Sequence, residues 1–254
     1  MRLCDFLDEM EKIAPKELAY DFDNPGLLIT PESDEIKKVL LALDCTPDVA
    51  REAAETGCQL VLTHHPLFFQ AVKRIDKNDP DTAAAWLLIR NGIGLFAAHT
   101  NLDAAPGGVN DALLAALGVG EIRPLEGEPC GRVGKLPKPM PLGMFVDHVN
   151  EKLRTRAACT GTRNELVSTV ACVSGSGGDC AEKAKAAGAD VFLTGEMKHH
   201  EALAAEVLGI PCVVAGHYET ERVVLGPLMD RLQNGKKDVQ YSLTLSDRGP
   251  FKRG

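Results

Sequence analysis

The sequence predicts an α/β protein with two linked, structurally related α/β lobes, each a sheet flanked by helices. Short apolar runs typical of buried strands alternate with helical patterns along the chain. Residues 126–141 are rich in Gly and Pro, which favours a connector near the middle. A strand–helix–strand pattern in the first half also has a counterpart in the second. We therefore expect an N-terminal lobe over residues 1–126 and a C-terminal lobe over 127–254.

Local signals justify the elements of the first half in order. Residues 39–43 form an uninterrupted apolar run that predicts a buried strand, and the runs 58–63 and 93–98 predict two more. Each predicted helix is followed by Gly or Asn-Gly, which are common just after a helix ends. The predicted helices cover residues 47–55, 82–90 and 110–117.

The second half repeats this alternation and ends on a strand, because residues 239–245 alternate between apolar and polar. The Gly-rich loop 174–178 precedes a predicted helix and could cradle a phosphate. It lacks the spacing of a nucleotide-binding fingerprint, so a structural turn is the favoured interpretation. The other predicted elements are helices 142–153, 179–187 and 219–232 and strands 169–173, 189–194 and 210–216.

The two halves resemble each other when Gly57 is aligned with Gly188. In each half an apolar strand is followed by a turn, a helix that ends at this Gly, and a second apolar strand. The alignment pairs Thr63 with Thr194, and His64-His65 with Gly195-Glu196. We interpret the pattern as a weak internal duplication. The alternative is chance similarity between two strand–helix–strand units.

Composition excludes several classes of protein. The formal net charge of −8 disfavours nucleic-acid binding, which normally uses a basic stripe. The basic residues are scattered apart from Lys236-Lys237 and the tail 251–254, which we interpret as a frayed end. The eight cysteines form no C-x-x-C pair, which favours a reducing compartment. No apolar run reaches a membrane-spanning length, and the acidic N-terminus is unlike a signal peptide. We therefore expect a soluble, cytoplasmic protein with no membrane partner.

Histidines and carboxylates follow three of the predicted strands. His64-His65 follows the first, His99 with Asp103 the second, and His217 with Glu221 the third. Ligands in open α/β sheets bind at the carboxyl ends of strands, so these groups are expected to converge. Imidazole and carboxylate together suit Zn, Fe, Mn or Ni. The pattern predicts a metal centre with two divalent ions, formed in the cleft between the two lobes.

Each candidate also has a plainer interpretation. Asp103 could be a turn or capping residue, and Glu221 a first-turn acid favoured by the helix dipole. His99 could be a ligand, a proton donor or a residue that orients a ligand, and we favour the last. Glu219 and His99 are the candidate proton shuttles. The pair His199-His200 is interpreted as a pocket wall.

Several motifs, taken together and in order, resemble the NIF-three-like dinuclear-metal family, whose members are often named GTP cyclohydrolase 1 type 2 homologs. The resemblance extends over nearly the whole chain. Phe22 stands where this family usually has Trp. The matching segments are 23–28 (DNPGLL), 63–69 (THHPLFF), 99–103 (HTNLD), 131–136 (GRVGKL), 194–200 (TGEMKHH) and 216–221 (GHYETE).

The resemblance implies a ligand set and an assembly. It implies that His64 and Asp103 hold one ion, that His65 and His217 hold the other, and that Glu221 bridges both. It also implies a toroidal homohexamer. The hypothesis is a metal-dependent hydrolase whose metal-activated water attacks a small substrate, with a nucleotide suggested by the cyclohydrolase name. The alternative is a non-catalytic hexamer that handles metal or regulates through protein interaction.

Overall fold

The computed structural model describes residues 1–235 and 238–251. Lys236-Lys237 and the end of the predicted frayed tail, 252–254, lie outside the described residues. The chain divides into two compact units. The first contains Met1–Ala105 and Leu225–Pro250, and the second contains Pro106–Val224.

Strands and helices alternate within both units, as the apolar runs predict. In the described residues the strands are β1 (Gly26–Ile29), β2 (Lys38–Ala42), β3 (Leu60–Thr63), β4 (Gly94–Ala97), β5 (Gly120–Leu125), β6 (Glu128–Pro141), β7 (Ala158–Cys159), β8 (Leu166–Val173), β9 (Val191–Thr194), β10 (Cys212–Val214) and β11 (Gln240–Leu243). The α-helices are α1 (Leu3–Ile13), α2 (Pro47–Thr56), α3 (Ala83–Arg90), α4 (Thr100–Ala104), α5 (Val109–Ala116), α6 (Leu142–Leu153), α7 (Ala181–Ala186), α8 (His199–Leu208), α9 (His217–Glu221) and α10 (Leu225–Gly235).

The first unit is built on a five-stranded sheet in the order β1-β4-β3-β2-β11. Strands β4, β3, β2 and β11 are parallel, and β1 is antiparallel at the edge. Helix α2, which links β2 to β3, begins at Pro47 behind the capping hydroxyl of Thr46 and ends at Gly57, whose φ is +70°. Gly57 is the stop signal that the sequence predicts. Because β3 and β4 are parallel neighbours, the residues that follow them emerge at the same edge of the sheet.

The second unit is built on a six-stranded sheet in the order β5-β6-β8-β9-β10-β7. Strands β8, β9 and β10 are parallel to one another. Successive residues of β8 belong to two different apolar clusters: Val170 to one and Ala171 to the other. The central strands β8 and β9 are therefore buried on both faces, which explains why they are continuous apolar runs rather than alternating patterns.

The structure differs from the sequence prediction at the middle of the chain. The stretch 126–141, predicted as a connector, contains β6, which pairs with β5 on one side and β8 on the other. Gly131 and Gly134 of β6 pack closely: a Cβ on Gly134 would lie 2.6 Å from the carbonyl oxygen of Gly120. Gly here permits close approach within a sheet rather than a flexible link. The boundary between the two compact units accordingly lies near Ala105, whereas the predicted boundary lies at 126/127.

The C-terminal elements also differ from the prediction. The helix predicted over 219–232 consists of α9, a 3₁₀ turn (Arg222–Val224) and α10. The last strand, β11, pairs in parallel with β2. It therefore belongs to the first unit, whereas its sequence position placed it in the predicted C-terminal lobe.

The strand registers support the predicted duplication. In the first unit Ala42 pairs with Thr63, and in the second Val173 pairs with Thr194, so both pairs have the same separation. The carbonyl oxygens of Thr63 and Thr194 then accept hydrogen bonds from Ala98 and Ala215. This equivalence pairs His99 with Gly216, so His217 lies one residue beyond the position equivalent to His99.

No helix among residues 1–235 and 238–251 is long and apolar enough to cross a membrane. Six of the eight cysteines are buried, namely Cys45, Cys58, Cys130, Cys172, Cys180 and Cys212, and all eight are free thiols. Burial raises the pKa of the Cys45 thiol to about 12. The buried thiols therefore act as small apolar groups of the core.

Candidate metal centre

Three histidines of the first unit form a compact cluster at the carboxyl ends of β3 and β4. The ring centroids of His64 and His65 are 5.0 Å apart, and the His99 ring lies 5.2 Å from His64 and 5.6 Å from His65. One ring nitrogen from each lies within 4.8 Å of the others. The sequence-predicted convergence of these side chains is thus present in the first unit.

The chain leaves the strand geometry between Thr63 and Pro66, which lets two adjacent histidines face one cluster. The backbone N–H of His64 donates to the carbonyl of Ala42, while the hydroxyl of Thr63 donates to the carbonyl of His65. On a continuing strand the two imidazoles would point to opposite faces. The turn brings them together instead, with the His64 side chain fully buried and that of His65 about a quarter exposed.

Each imidazole of the cluster is held at Nδ1 by an acceptor. His64 Nδ1 lies 2.8 Å from the carbonyl oxygen of Ala98, and His65 Nδ1 lies 2.8 Å from Asp44 Oδ1. His99 Nδ1 lies 2.7 Å from Asp23 Oδ1. An acceptor at Nδ1 fixes the proton there and leaves the Nε2 lone pair for another group. This is the arrangement that supports metal-binding histidines.

Asp23 is a firmly anchored carboxylate of the first unit. Its side chain is fully buried, and it accepts hydrogen bonds from His99 and from the backbone N–H and hydroxyl of Thr100. Burial alone would raise the pKa of Asp23, but these hydrogen bonds outweigh it and lower the pKa to about 2. Asp23 is therefore ionised at neutral pH and fixes the orientation of the His99 ring.

Asp103 lies on α4, one turn after His99, and is buried. Its Oδ1 is 3.7 Å from His64 Nε2, which is longer than a hydrogen bond. Two atoms that bind one ion at about 2.0–2.2 Å each can be separated by such a distance. The spacing fits a shared cation better than direct pairing.

The second unit contains a group of ionisable side chains around His217 and Glu221. Both lie on α9 at positions i and i+4, with His217 Nε2 3.1 Å from Glu221 Oε2. His217 Nδ1 is 3.4 Å from Glu196 Oε2, and the hydroxyl of Ser176 donates to the same oxygen at 2.7 Å. The Ser176 hydrogen bond lowers the pKa of Glu196 despite partial burial, and His217 lowers it further. His217 thus has a supporting carboxylate at Nδ1 and faces a buried one at Nε2.

Two glycines make room for this cluster. A Cβ on Gly175, whose φ is +59°, would lie 2.2 Å from Glu221 Oε1 and 3.3 Å from His217 Nε2. A Cβ on Gly195 would lie 2.9 Å from the Cα of His217. The loop 174–178 is consequently a turn that borders the His217–Glu221 pair, in agreement with the structural interpretation drawn from the sequence.

The remaining predicted residues differ in their environment. Glu219 is half-buried on α9, and His199 and His200 are exposed at the start of α8. Sequence reasoning missed the roles of Asp23, Asp44, Glu196 and Ser176 as hydrogen-bond partners. Asp23 stands inside a motif quoted above, and Glu196 is aligned with His65 in the duplication, so both had a weak signal. Asp44 directly follows the predicted strand 39–43 and Ser176 lies in the loop 174–178, but neither position indicates a histidine partner.

Comparison with known proteins defines the family. The family model described as Duf34/NIF3 (NGG1p interacting factor 3) matches residues 1–249. The chain belongs to this family. It is similar to a Clostridium perfringens protein named GTP cyclohydrolase 1 type 2 homolog, with 34% identity over 99% of each chain. It is also similar to NGG1-interacting factor 3 of Saccharomyces cerevisiae, with 33% identity over 92% of this chain and 90% of the yeast protein.

Solved structures of NIF3-related proteins share the fold. A Bacillus cereus protein related to NIF3 matches with a TM-score of 0.93, 24% identity and coverage of 100% of this chain and 99% of the other. The Staphylococcus aureus hypothetical protein SA1388 matches with a TM-score of 0.92, 28% identity and the same coverage. The predicted fold class, α/β with two related sheets flanked by helices, is therefore confirmed.

Proposed function

We propose that this Duf34/NIF3 protein binds two divalent metal ions and acts as a metal-dependent hydrolase on a small substrate of nucleotide type. The observation that carries the proposal is the support at Nδ1 of the histidines. Carbonyl or carboxylate acceptors hold His64, His65 and His99, and Glu196 lies beside His217. Histidines arranged in this way present Nε2 as a ligand or as a base.

We assign His64 and Asp103 to one ion, His65 and His217 to the other, and Glu221 as the bridging carboxylate. The chemistry of this donor set fits Zn, Fe, Mn or Ni. The crowding around Gly175 also fits, because a carboxylate confined by backbone keeps one position for a metal ligand. Both clusters contain histidine and carboxylate donors of the kind that could hold a metal ion.

When bound, two divalent ions lower the pKa of water and stabilise negative charge that develops on the substrate. The protein's own residues then handle protons. Asp23 keeps the His99 proton at Nδ1, so His99 Nε2 is the atom that accepts a proton, and the ionised Asp23 stabilises the imidazolium that results. Glu219, half-buried on α9 two residues before Glu221, is the second candidate for proton transfer.

Turnover tests the hydrolase proposal. Protein reconstituted separately with Zn, Mn or Fe is incubated with GTP, the substrate that the names of the bacterial relatives suggest. We expect hydrolysis with at least one metal and none after chelation. If no metal supports turnover, GTP is not the substrate. The metal site is then judged by the separate measurement of metal content described next.

Glu221→Gln tests the metal site. Gln keeps the shape of the side chain but lacks the charge that a bridging ligand needs, so we expect metal content to fall from two ions per chain toward one or none. Glu206→Gln on α8 is the control, because Glu206 is exposed. Both proteins are measured by inductively coupled plasma mass spectrometry after purification without chelators or nickel columns. Unchanged metal content in Glu221→Gln would disprove the bridging role.

A second candidate is a hexamer without catalysis that handles metal or regulates through protein interaction. It is favoured by the yeast relative, which is named for an interaction rather than a reaction. Labile, readily exchanged ions together with a hexameric mass by light scattering would support it. Tightly held ions with turnover would support the hydrolase. Under either function we place the protein in a reducing cytoplasm, since all eight cysteines are free thiols.

A further inference from the structure

Two phenylalanine rings of the first unit stand on the surface beside the histidine cluster. Phe22 is 66% exposed and Phe69 is 49% exposed. The two rings meet at an angle of 62° with centroids 6.2 Å apart, and Phe22 stacks on Tyr20 at 5.4 Å. Phe69 in turn meets the His99 ring at 6.1 Å. A row of aromatic rings therefore leads from solvent to His99.

Core packing does not account for this exposure. In the segment Leu67-Phe68-Phe69, Leu67 and Phe68 pack against the apolar core of the first unit, while Phe69 points away from it. Large exposed apolar groups that cluster together mark sites of interaction. Exposing these rings to water is unfavourable, and a ligand that covers them removes this free-energy cost.

The backbone that carries the two rings is fixed in place. Phe22 immediately precedes Asp23, which is buried and bonded to His99 and Thr100. The side chain of Asn24 donates to the carbonyl oxygen of Phe68 at 2.7 Å, which ties the Phe22 segment to the Phe69 segment. Rigid placement lowers the entropic cost of binding a ligand on these rings.

The spacing of the two rings limits how a flat ligand can bind. A flat ring in contact with an aromatic face lies about 3.5 Å from it, so rings 6.2 Å apart and tilted by 62° leave no slot for a third ring between them. A ligand therefore stacks on an open face.

We propose that Phe22 and Phe69 form a stacking platform that binds the planar heteroaromatic ring of the substrate, a base of the nucleoside type, beside His99. This inference rests on the proposed function, because it names the substrate class of the same site. Stacking on an aromatic face tolerates any flat base, so the platform selects a class of ring rather than one base.

Binding of guanosine, with ribose as the probe that lacks a base, tests the platform by isothermal titration calorimetry and saturation-transfer NMR. Stacking on one aromatic ring contributes about 1–3 kcal/mol, so Phe22→Leu and Phe69→Leu should each weaken guanosine binding by about fivefold or more. Phe22→Trp should retain or strengthen it, because indole offers a larger face. Phe251→Leu is the control, since Phe251 is 79% exposed at the other end of the chain.

The outcomes are separable from those of the metal proposal, because metal content is measured on the same samples. We expect saturation transfer to base protons, no binding of ribose, and unchanged metal content in the leucine variants. Guanosine binding that is equal in wild type and both leucine variants would overturn the platform, even if two metal ions remain. A change of oligomeric mass in Phe22→Leu with unaltered guanosine binding would also overturn it and assign the rings to contact between copies of the chain.

Discussion

Gly175→Ala should remove metal from the protein without unfolding it. The new Cβ would lie 2.2 Å from Glu221 Oε1, whereas real Cβ contacts are not found below 3.0 Å, so the carboxylate has to retreat by roughly 0.8 Å. Metal–ligand distances tolerate only about 0.2 Å. The left-handed backbone adds about 1–2 kcal/mol of strain for a residue with a Cβ. We therefore expect lower metal content and a modest loss of stability.

Gly188→Ala separates these two effects. Gly188 also has a positive φ, +78°, but a Cβ there meets nothing within 4 Å. Both variants should lower Tm by a few degrees, because 1 kcal/mol corresponds to about 2–4 °C in a domain of 150–250 residues. Only Gly175→Ala should lose metal, measured as ions per chain after reconstitution and desalting. Equal metal content in the two variants would refute the reasoning.

Three further predictions concern single groups. His64→Asn should lower metal content, while His199→Asn, at an exposed position on α8, should not, and equal content by mass spectrometry would contradict the ligand assignment. The pKa of Asp23 is lowered from an ordinary 3.8 to about 2, so the stabilisation by its carboxylate is complete above the ordinary value and is lost as pH falls toward 2. The difference in Tm between wild type and Asp23→Asn should accordingly be present at pH 7 and shrink below pH 4, and a constant difference would rule this out. Ellman's reagent should label only Cys4 and Cys159 rapidly in the folded protein and all eight thiols in guanidinium, whereas rapid labelling of further thiols in the folded state would contradict their burial.

Much of the local structure followed from the sequence because its causes are local. Helix α2 runs between a capping Thr46 and Gly57, and helix α6 occupies residues 142–153 as its periodicity predicts. The apolar runs before His64 and His99 are buried parallel strands. Parallel neighbours end at one edge, so the grouping of His64, His65 and His99 was also within reach of sequence reasoning.

The hydrogen-bond partners of the histidines could not be predicted from the sequence. Asp23 is 76 residues from His99, and Asp44 is 21 residues from His65. Asp23 stands in one of the motifs quoted above and Asp44 directly follows a predicted strand, but neither position indicates which histidine the carboxylate contacts. Only the packed fold decides which carboxylate meets Nδ1 of which ring.

By itself, the sequence determined most of the buried parallel strands, the helices between them and the strand ends at which histidines and acids stand. Apolar periodicity and capping residues act over a few positions, so they can be read without the fold. The tertiary structure alone decided that 126–141 forms a central strand, that β11 joins the first unit, and that Gly175 confines Glu221. Each of these depends on pairing or contact between residues far apart in the chain, which local patterns do not encode.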